Sequence, residues 1–218
     1  MKKTGFIAIV GRPNVGKSTL LNQILGEKIA IVSAKPQTTR NRIIGIHTVG
    51  DAQFVFLDTP GIHRPKNKLG DYMVKAANST MRDADAVLLV VEADKPVSQV
   101  EENVIDYLKR TGTPSILAIN KVDLTNREVI AATIAAYAAL HDFNAFVPIC
   151  AKKGDNVDAL LEECTQFLAE SDWFFPEDMI TDQPERQVVE EYYGVVIETN
   201  VRTVGTTNLL LCSYYDCL

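Results

Sequence analysis

The sequence predicts an α/β fold: a mostly parallel six-stranded sheet with one antiparallel edge strand, helices on both faces, and a short C-terminal appendage. Three observations predict it. Continuous apolar runs alternate with helix-like stretches through the first 170 residues. Gly11-Arg12-Pro13-Asn14-Val15-Gly16-Lys17-Ser18 fits G-x-x-x-x-G-K-[ST] and lies between one such run and one such helix. Finally, Gly50-Asp51-Ala52 joins two strands through a connection short enough for a hairpin.

Taken in order, Phe6 to Val10 is an apolar strand that ends at the glycine-rich loop, and Thr19 to Leu25 continues the loop as a helix. Ser33 to Arg42 is polar, with Thr, Gln and Arg. Ile43 to Val49 and Gln53 to Asp58 form the hairpin and supply the antiparallel edge. A loop from Thr59 to Lys66 precedes a helix near Asn67 to Met81, and Ala86 to Val91 is a continuous apolar strand. Ser98-x-x-Glu101 is a capping box opening a helix that runs to about Lys109. Ser115 to Asn120 reads as a buried strand, Asn126 to Leu140 as an alanine-rich helix, Ala145 to Cys150 as the last strand and Asn156 to Ala169 as the last helix. Residues 1–171 thus form one nucleotide-domain-sized unit, 172–186 an extended linker, and 187–218 a separate short region. In open parallel sheets ligands sit beyond the carboxyl ends of the strands, where each candidate motif falls.

Composition narrows the class. A chain of 218 residues with 46% hydrophobic and 23% charged residues can bury an ordinary globular core. Residues 1–170 carry 20 Lys+Arg against 19 Asp+Glu, whereas residues 171–218 carry only Arg186 and Arg202 against nine acidic residues, a net of −7. The whole chain, at −6, lacks the charge for general adhesion to nucleic acid or membrane. Cys150, Cys164, Cys212 and Cys217 have no metal-ligand spacing and read as reduced thiols. With no signal-peptide pattern at Met1-Lys2-Lys3 and no apolar run long enough to span a bilayer, a soluble, cytoplasmic protein is expected.

The chemistry lies in the loops. Gly11 and Gly16 permit backbone angles that turn successive N–H groups toward a phosphate, and the helix beginning there adds its dipole. Lys17 supplies a cation to the β- and γ-phosphates, Ser18 a hydroxyl to Mg²⁺, and Thr19 the following helix turn. The loop identifies a P-loop NTPase. Asp58-Thr59-Pro60-Gly61 follows about 40 residues later; its carboxylate suits Mg²⁺ through water, and the Gly61 N–H the γ-phosphate. Asn120-Lys121-Val122-Asp123 decides the base. Guanine presents N1–H and N2–H₂ side by side to the Asp123 carboxylate, while adenine would leave it unpaired, so GTP is expected rather than ATP. Cys150-Ala151-Lys152 stands where such domains commonly carry Ser-Ala-Lys, with a backbone N–H for guanine O6. Gln37-Thr38-Thr39-Arg40 lies where a switch segment is expected, with Thr39, or Thr38 beside it, as a Mg²⁺ ligand that releases after hydrolysis. Lys17, Thr39 and Gly61 would carry catalysis. Ile62 occupies the position where Ras-like enzymes orient water with glutamine, so slow intrinsic hydrolysis is expected, with Asn14 helping to hold a K⁺ near the phosphates.

These blocks resemble the translation-factor-class GTPases of the Era/TrmE type, and among them the Era family. The loop 11–18, Lys35-Pro36-Gln37-Thr38-Thr39-Arg40, Gly45-Ile46-His47-Thr48 and Asp58-Thr59-Pro60-Gly61-Ile62-His63 follow the Era pattern. So does the linker from Phe174-Phe175-Pro176-Glu177-Asp178 through Thr181-Asp182 to Pro184-Glu185-Arg186, and the linker singles out this family. The resemblance covers about residues 5–191. It implies a GTPase that assists small ribosomal subunit assembly, binds its rRNA, and associates loosely with the inner membrane face, as a monomer. It also implies a C-terminal KH domain with a G-x-x-G loop. Residues 192–218 contain no G-x-x-G and little positive charge, which reads as a truncated or divergent start of that domain. The alternative expectation is a guanine-nucleotide-binding interaction module with negligible turnover and no RNA binding.

Overall fold

The computed structural model describes residues 1–30, 43–58 and 79–182. Their sheet contains β1 (Lys3–Val10), β2 (Ile43–Val49), β3 (Ala52–Asp58), β4 (Ala86–Glu92), β5 (Ser115–Asn120), β6 (Ala145–Pro148) and a two-residue β7 (Ala169–Glu170). The order is β2-β3-β1-β4-β5-β6, with β7 on β1. β1 runs parallel to β3 and β4, and β5 parallel to β4 and β6; β2 is antiparallel to β3, the hairpin edge expected from Gly50.

Period-two alternation divides the core between two faces. Ile7, Ile9, Leu88, Val90, Ile116 and Ala118 pack on one face, joined by Leu20, Leu21 and Ile24 of α1 (Lys17–Leu25) and Leu160 of α4 (Val157–Thr165). Ala8, Val10, Val87, Leu89, Val91, Leu117 and Ile119 pack on the other. There Val104, Ile105 and Leu108 of α2 (Gln99–Thr111) and Tyr137 of α3 (Arg127–Ala138) cover them. Strands buried on both faces need apolar residues at every position, and β4 is buried at six of its seven. The capping box at Ser98 and Glu101 starts α2, and Asn126 caps α3 by accepting the Val129 N–H at 3.0 Å.

The described residues depart from the sequence expectation at the C-terminal side of the domain. The last helix ends at Thr165 rather than Ala169, and Ala169–Glu170 instead pair antiparallel with Thr4 and Lys3. The six expected strands therefore gain a two-residue seventh. Residues 79–82 are helical, the end of the helix expected near Asn67 to Met81; its earlier part, like residues 187–218, lies outside the described residues.

The first part of the linker runs back along the hairpin. Thr181 bridges Gly45, the Ile46 N–H donates to Ile180 O at 2.7 Å, and Phe174 stacks on Phe6 at 5.4 Å. Gln53 of β3, fully buried, joins the two: its Oε1 accepts from Phe174 N–H at 3.0 Å and Phe175 N–H at 3.1 Å, and its Nε2 donates to Phe175 O at 2.9 Å. Gln53→Leu keeps the volume but removes these bonds and leaves their partners unsatisfied. The expected cost is about 2 kcal/mol, seen as a thermal midpoint lower by roughly 4–8 °C for a chain of this size. An unchanged midpoint in calorimetry would show that the linker contact contributes no stability.

Candidate nucleotide site

The carboxyl ends of β1, β3, β4 and β5 converge on the phosphate loop. Register places Asp58 beside Ile9 and Glu92 beside Asn120, so the motifs stand within a few residues of one level across the sheet. The loop leaves β1 with Gly11 at φ 150° and enters α1 with Gly16 at φ 105°, both unfavourable for a side chain. Space excludes one as well. A Cβ on Gly11 would lie 2.4 Å from Val90 O, and one on Gly16 2.2 Å from Asn120 Nδ2.

Lys17 is 6% exposed, and its Nζ donates to Arg12 O at 2.9 Å and Gly11 O at 3.2 Å. Burial lowers its pKa from 10.5 to about 8, against the opposing pull of the Asp58 charge. Ser18 Oγ donates to Asp58 Oδ2 at 2.8 Å, so α1 and β3 bring a hydroxyl and a carboxylate together. Hard oxygen donors of this kind fit Mg²⁺. Asn14 adopts φ 64° and is exposed, while Val15 is buried.

The base motif is tied to this loop. Asn120 Nδ2 donates to Val15 O at 2.7 Å, and Asn120 Oδ1 accepts from Ala151 N–H at 2.9 Å. One amide thus bridges the phosphate loop and the Cys150-Ala151-Lys152 turn. Lys121 Nζ donates to Asn14 O at 2.8 Å and to Glu92 Oε1. Asp123 sits in the 3₁₀ turn Val122–Leu124, with Lys153 Nζ 3.5 Å from its Oδ2. The Cys150 thiol, donating to Asp123, heads the causes that hold this carboxyl below its ordinary range; burial and the same carboxylate push the thiol up.

The structure accordingly gathers Gly11, Arg12, Pro13, Asn14, Val15, Gly16, Lys17, Ser18, Thr19, Asp58, Asn120, Lys121, Asp123, Cys150, Ala151 and Lys152 around one end of the sheet. Thr38, Thr39, Thr59, Pro60, Gly61 and Ile62 lie outside the described residues. Glu92 carries no motif signal in the sequence. An acidic residue ending β4 is unremarkable until the β4–β5 register sets it beside the Asn120-Lys121 turn.

Fold and site define a nucleotide-binding domain of the P-loop GTPase class. The family described as 50S ribosome-binding GTPase matches residues 6–121. GTPase Era of Ruminiclostridium cellulolyticum is 49% identical over 189 residues, covering 87% of this chain and 63% of its own length. GTPase Era of Alkaliphilus metalliredigens is 49% identical over 213 residues, covering 91% of this chain and 72% of its own. The chain belongs to the Era family of GTPases. Among solved structures, Era in complex with MgGDPNP and nucleotides 1506–1542 of 16S ribosomal RNA is similar with a TM-score of 0.80 at 39% identity, over 88% of this chain and 65% of that one. An Aquifex aeolicus Era variant bound to GDP·AlF₄⁻ is similar with a TM-score of 0.82 at 40% identity, over 87% and 65%. The chain spans about two-thirds of the length of these relatives.

Proposed function

We propose that this chain binds GTP with Mg²⁺, hydrolyses it slowly to GDP and phosphate, and acts as a molecular switch in assembly of the small ribosomal subunit. The observation that carries the reading is the Asn120 amide, which joins Val15 of the phosphate loop to Ala151 of the base side and so makes one site of three separate motifs. In this reading the loop N–H groups and the α1 N-terminus receive the phosphates, and Lys17 exchanges its carbonyl partners for phosphate oxygens. Ser18 and Asp58 would hold Mg²⁺, with Thr39 as the switch ligand, and the ion would supply positive charge to the phosphate oxygens. Asp123 pairs with the guanine edge, and Gly61 and Lys17 steady the γ-phosphate. Catalysis is positioning and charge neutralisation, with no covalent intermediate.

The rRNA assignment is supported by the Era relative whose structure contains 16S ribosomal RNA and MgGDPNP. The acidic balance of residues 171–218 favours the second reading, a nucleotide-binding module with negligible turnover and no RNA contact. A cytoplasmic monomer with peripheral association at the inner membrane face completes the proposal; among the described residues no helix is long and apolar enough to cross a membrane. Single-turnover hydrolysis, in K⁺ or Na⁺ and with or without a 16S RNA 3′ fragment, tests it. Slow turnover that K⁺ and the RNA each raise several-fold is expected, with the K⁺ response lost in Asn14→Ala. Tight GTP binding with no measurable turnover under any of these conditions would establish the second reading instead.

A further inference from the structure

The phosphate loop is held from outside by three anchors. Two lie at the end of β5: Asn120 Nδ2 on Val15 O and Lys121 Nζ on Asn14 O. The third belongs to no nucleotide motif. Arg12 Nε stands 2.8 Å from Glu101 Oε1, with the Arg12 side chain 23% exposed and that of Glu101 0%. Glu101 already closes the capping box of α2, its Oε2 accepting the Ser98 N–H at 2.7 Å. A cap of this kind needs no burial, because an exposed glutamate accepts the same bond. Here Tyr137 of α3, 1% exposed, is packed close enough that burial and the Glu101 carboxylate push its phenol up.

A carboxylate withdrawn from water is costly unless a cation is held against it, and removing the partner of a buried pair is more damaging than never having had it. Arg12 is that cation. Its carbonyl also accepts from Lys17 Nζ at 2.9 Å, so the residue that Glu101 holds is the one on which the Lys17 ammonium rests.

We propose that Glu101 is a positioning residue for the nucleotide site: through its ion pair with Arg12 it fixes the entry limb of the phosphate loop on α2, and with it the aim of the loop N–H groups and the resting place of Lys17. The proposal rests on the reading of residues 11–18 as a GTP phosphate loop. Glu101→Gln keeps an oxygen to cap Ser98 while removing the buried charge, whereas Arg12→Gln removes the partner and leaves the Glu101 carboxylate buried without its cation. Titration with GDP should give dissociation constants about tenfold weaker for each single variant. The double variant should be no weaker than either, since coupled residues do not add. Glu102→Gln, one residue along with an exposed side chain that accepts from Gln99 Nε2 at 3.0 Å, serves as the control with an unchanged constant. The ³¹P resonances of bound GDP should shift in Glu101→Gln and not in Glu102→Gln, a readout that a loss of stability alone would not move.

A Glu101→Gln chain that melts earlier but binds GDP as tightly as wild type well below its midpoint overturns the proposal. So does an additive double variant, about a hundredfold weaker. If Arg12→Gln fails to fold, Glu101→Gln decides alone, because it leaves no buried charge unpaired, and unchanged GDP binding there overturns the proposal. A wild-type chain that binds no GDP overturns the nucleotide reading itself, an outcome distinct from wild-type binding with unaffected variants.

Discussion

Lys17→Ala is expected to weaken GTP and GDP binding by about 10²–10³-fold at pH 7 without destabilising the nucleotide-free fold. Hydrogen bonds to charged groups contribute roughly 1.5–3 kcal/mol each, and the ammonium would make two with phosphate oxygens at the cost of its weaker bonds to Gly11 O and Arg12 O. In the nucleotide-free protein that ammonium is buried, and its lowered pKa of about 8 means that the fold disfavours the charged form. Removing it relieves the fold while disabling the site. The sign of the pH dependence follows. Between about 8 and 10.5 the unfolded chain holds a proton that the folded chain has released, so wild-type nucleotide-free stability rises with pH across that window. Phosphate binding demands the charged amine, so above pH ~8 affinity falls and binding takes up a proton. Calorimetric titrations at pH 7 and 9 in buffers of different ionisation enthalpy would reveal that uptake. Equal affinities at the two pH values, with no proton uptake, would remove Lys17 from the role assigned to it.

Asp123→Asn is expected to invert base preference from guanine to xanthine. The wild-type carboxylate is acceptor-only, held ionised by the Cys150 thiol and by Lys153, and it can accept from guanine N1–H and N2–H₂ together. The amide offers one acceptor and one donor. It keeps a partner for N1–H but sets its N–H against the guanine amino group, whereas the C2 oxygen of xanthine accepts it. Mismatching a hydrogen-bonded recognition pair costs about 10³-fold or more. Competition titrations with GTP and XTP should therefore show GTP affinity reduced by about that factor and XTP bound more tightly than GTP. Retention of tight, guanine-selective binding would move base recognition away from Asp123.

Much of the strand pattern was legible because these strands are buried on both faces and read as unbroken apolar runs. Ala86–Glu92 and Ser115–Asn120 fall within a residue of expectation. The Ser98 and Glu101 pair announced α2 because a capping box is a local signal. Ala169–Glu170 was not legible: two residues show no periodicity, and only their arrival beside Lys3 and Thr4 makes them a strand. The absence of a helix from Phe174 to Asp182 follows from Pro176 and the charges beside it. The path of this segment along β2 does not, because the N–H and C=O groups of an edge strand are the same whatever the side chains.

The sequence by itself determined the chemistry of single loops: two glycines free to turn the backbone N–H groups toward a phosphate, a lysine and serine to follow them, a carboxylate at the end of β3, and a carboxylate after β5 that distinguishes guanine. Short spacing dictates these, since residues a few positions apart share one turn. The tertiary structure alone decided which side chains brace those loops. Asn120 reaches Val15 across 105 positions, Lys121 meets Glu92 across 29, and Arg12 meets a buried Glu101 on a helix beyond β4. Such pairs depend on strand order and register, which bring distant residues together at one end of the sheet and leave no periodic mark in the chain.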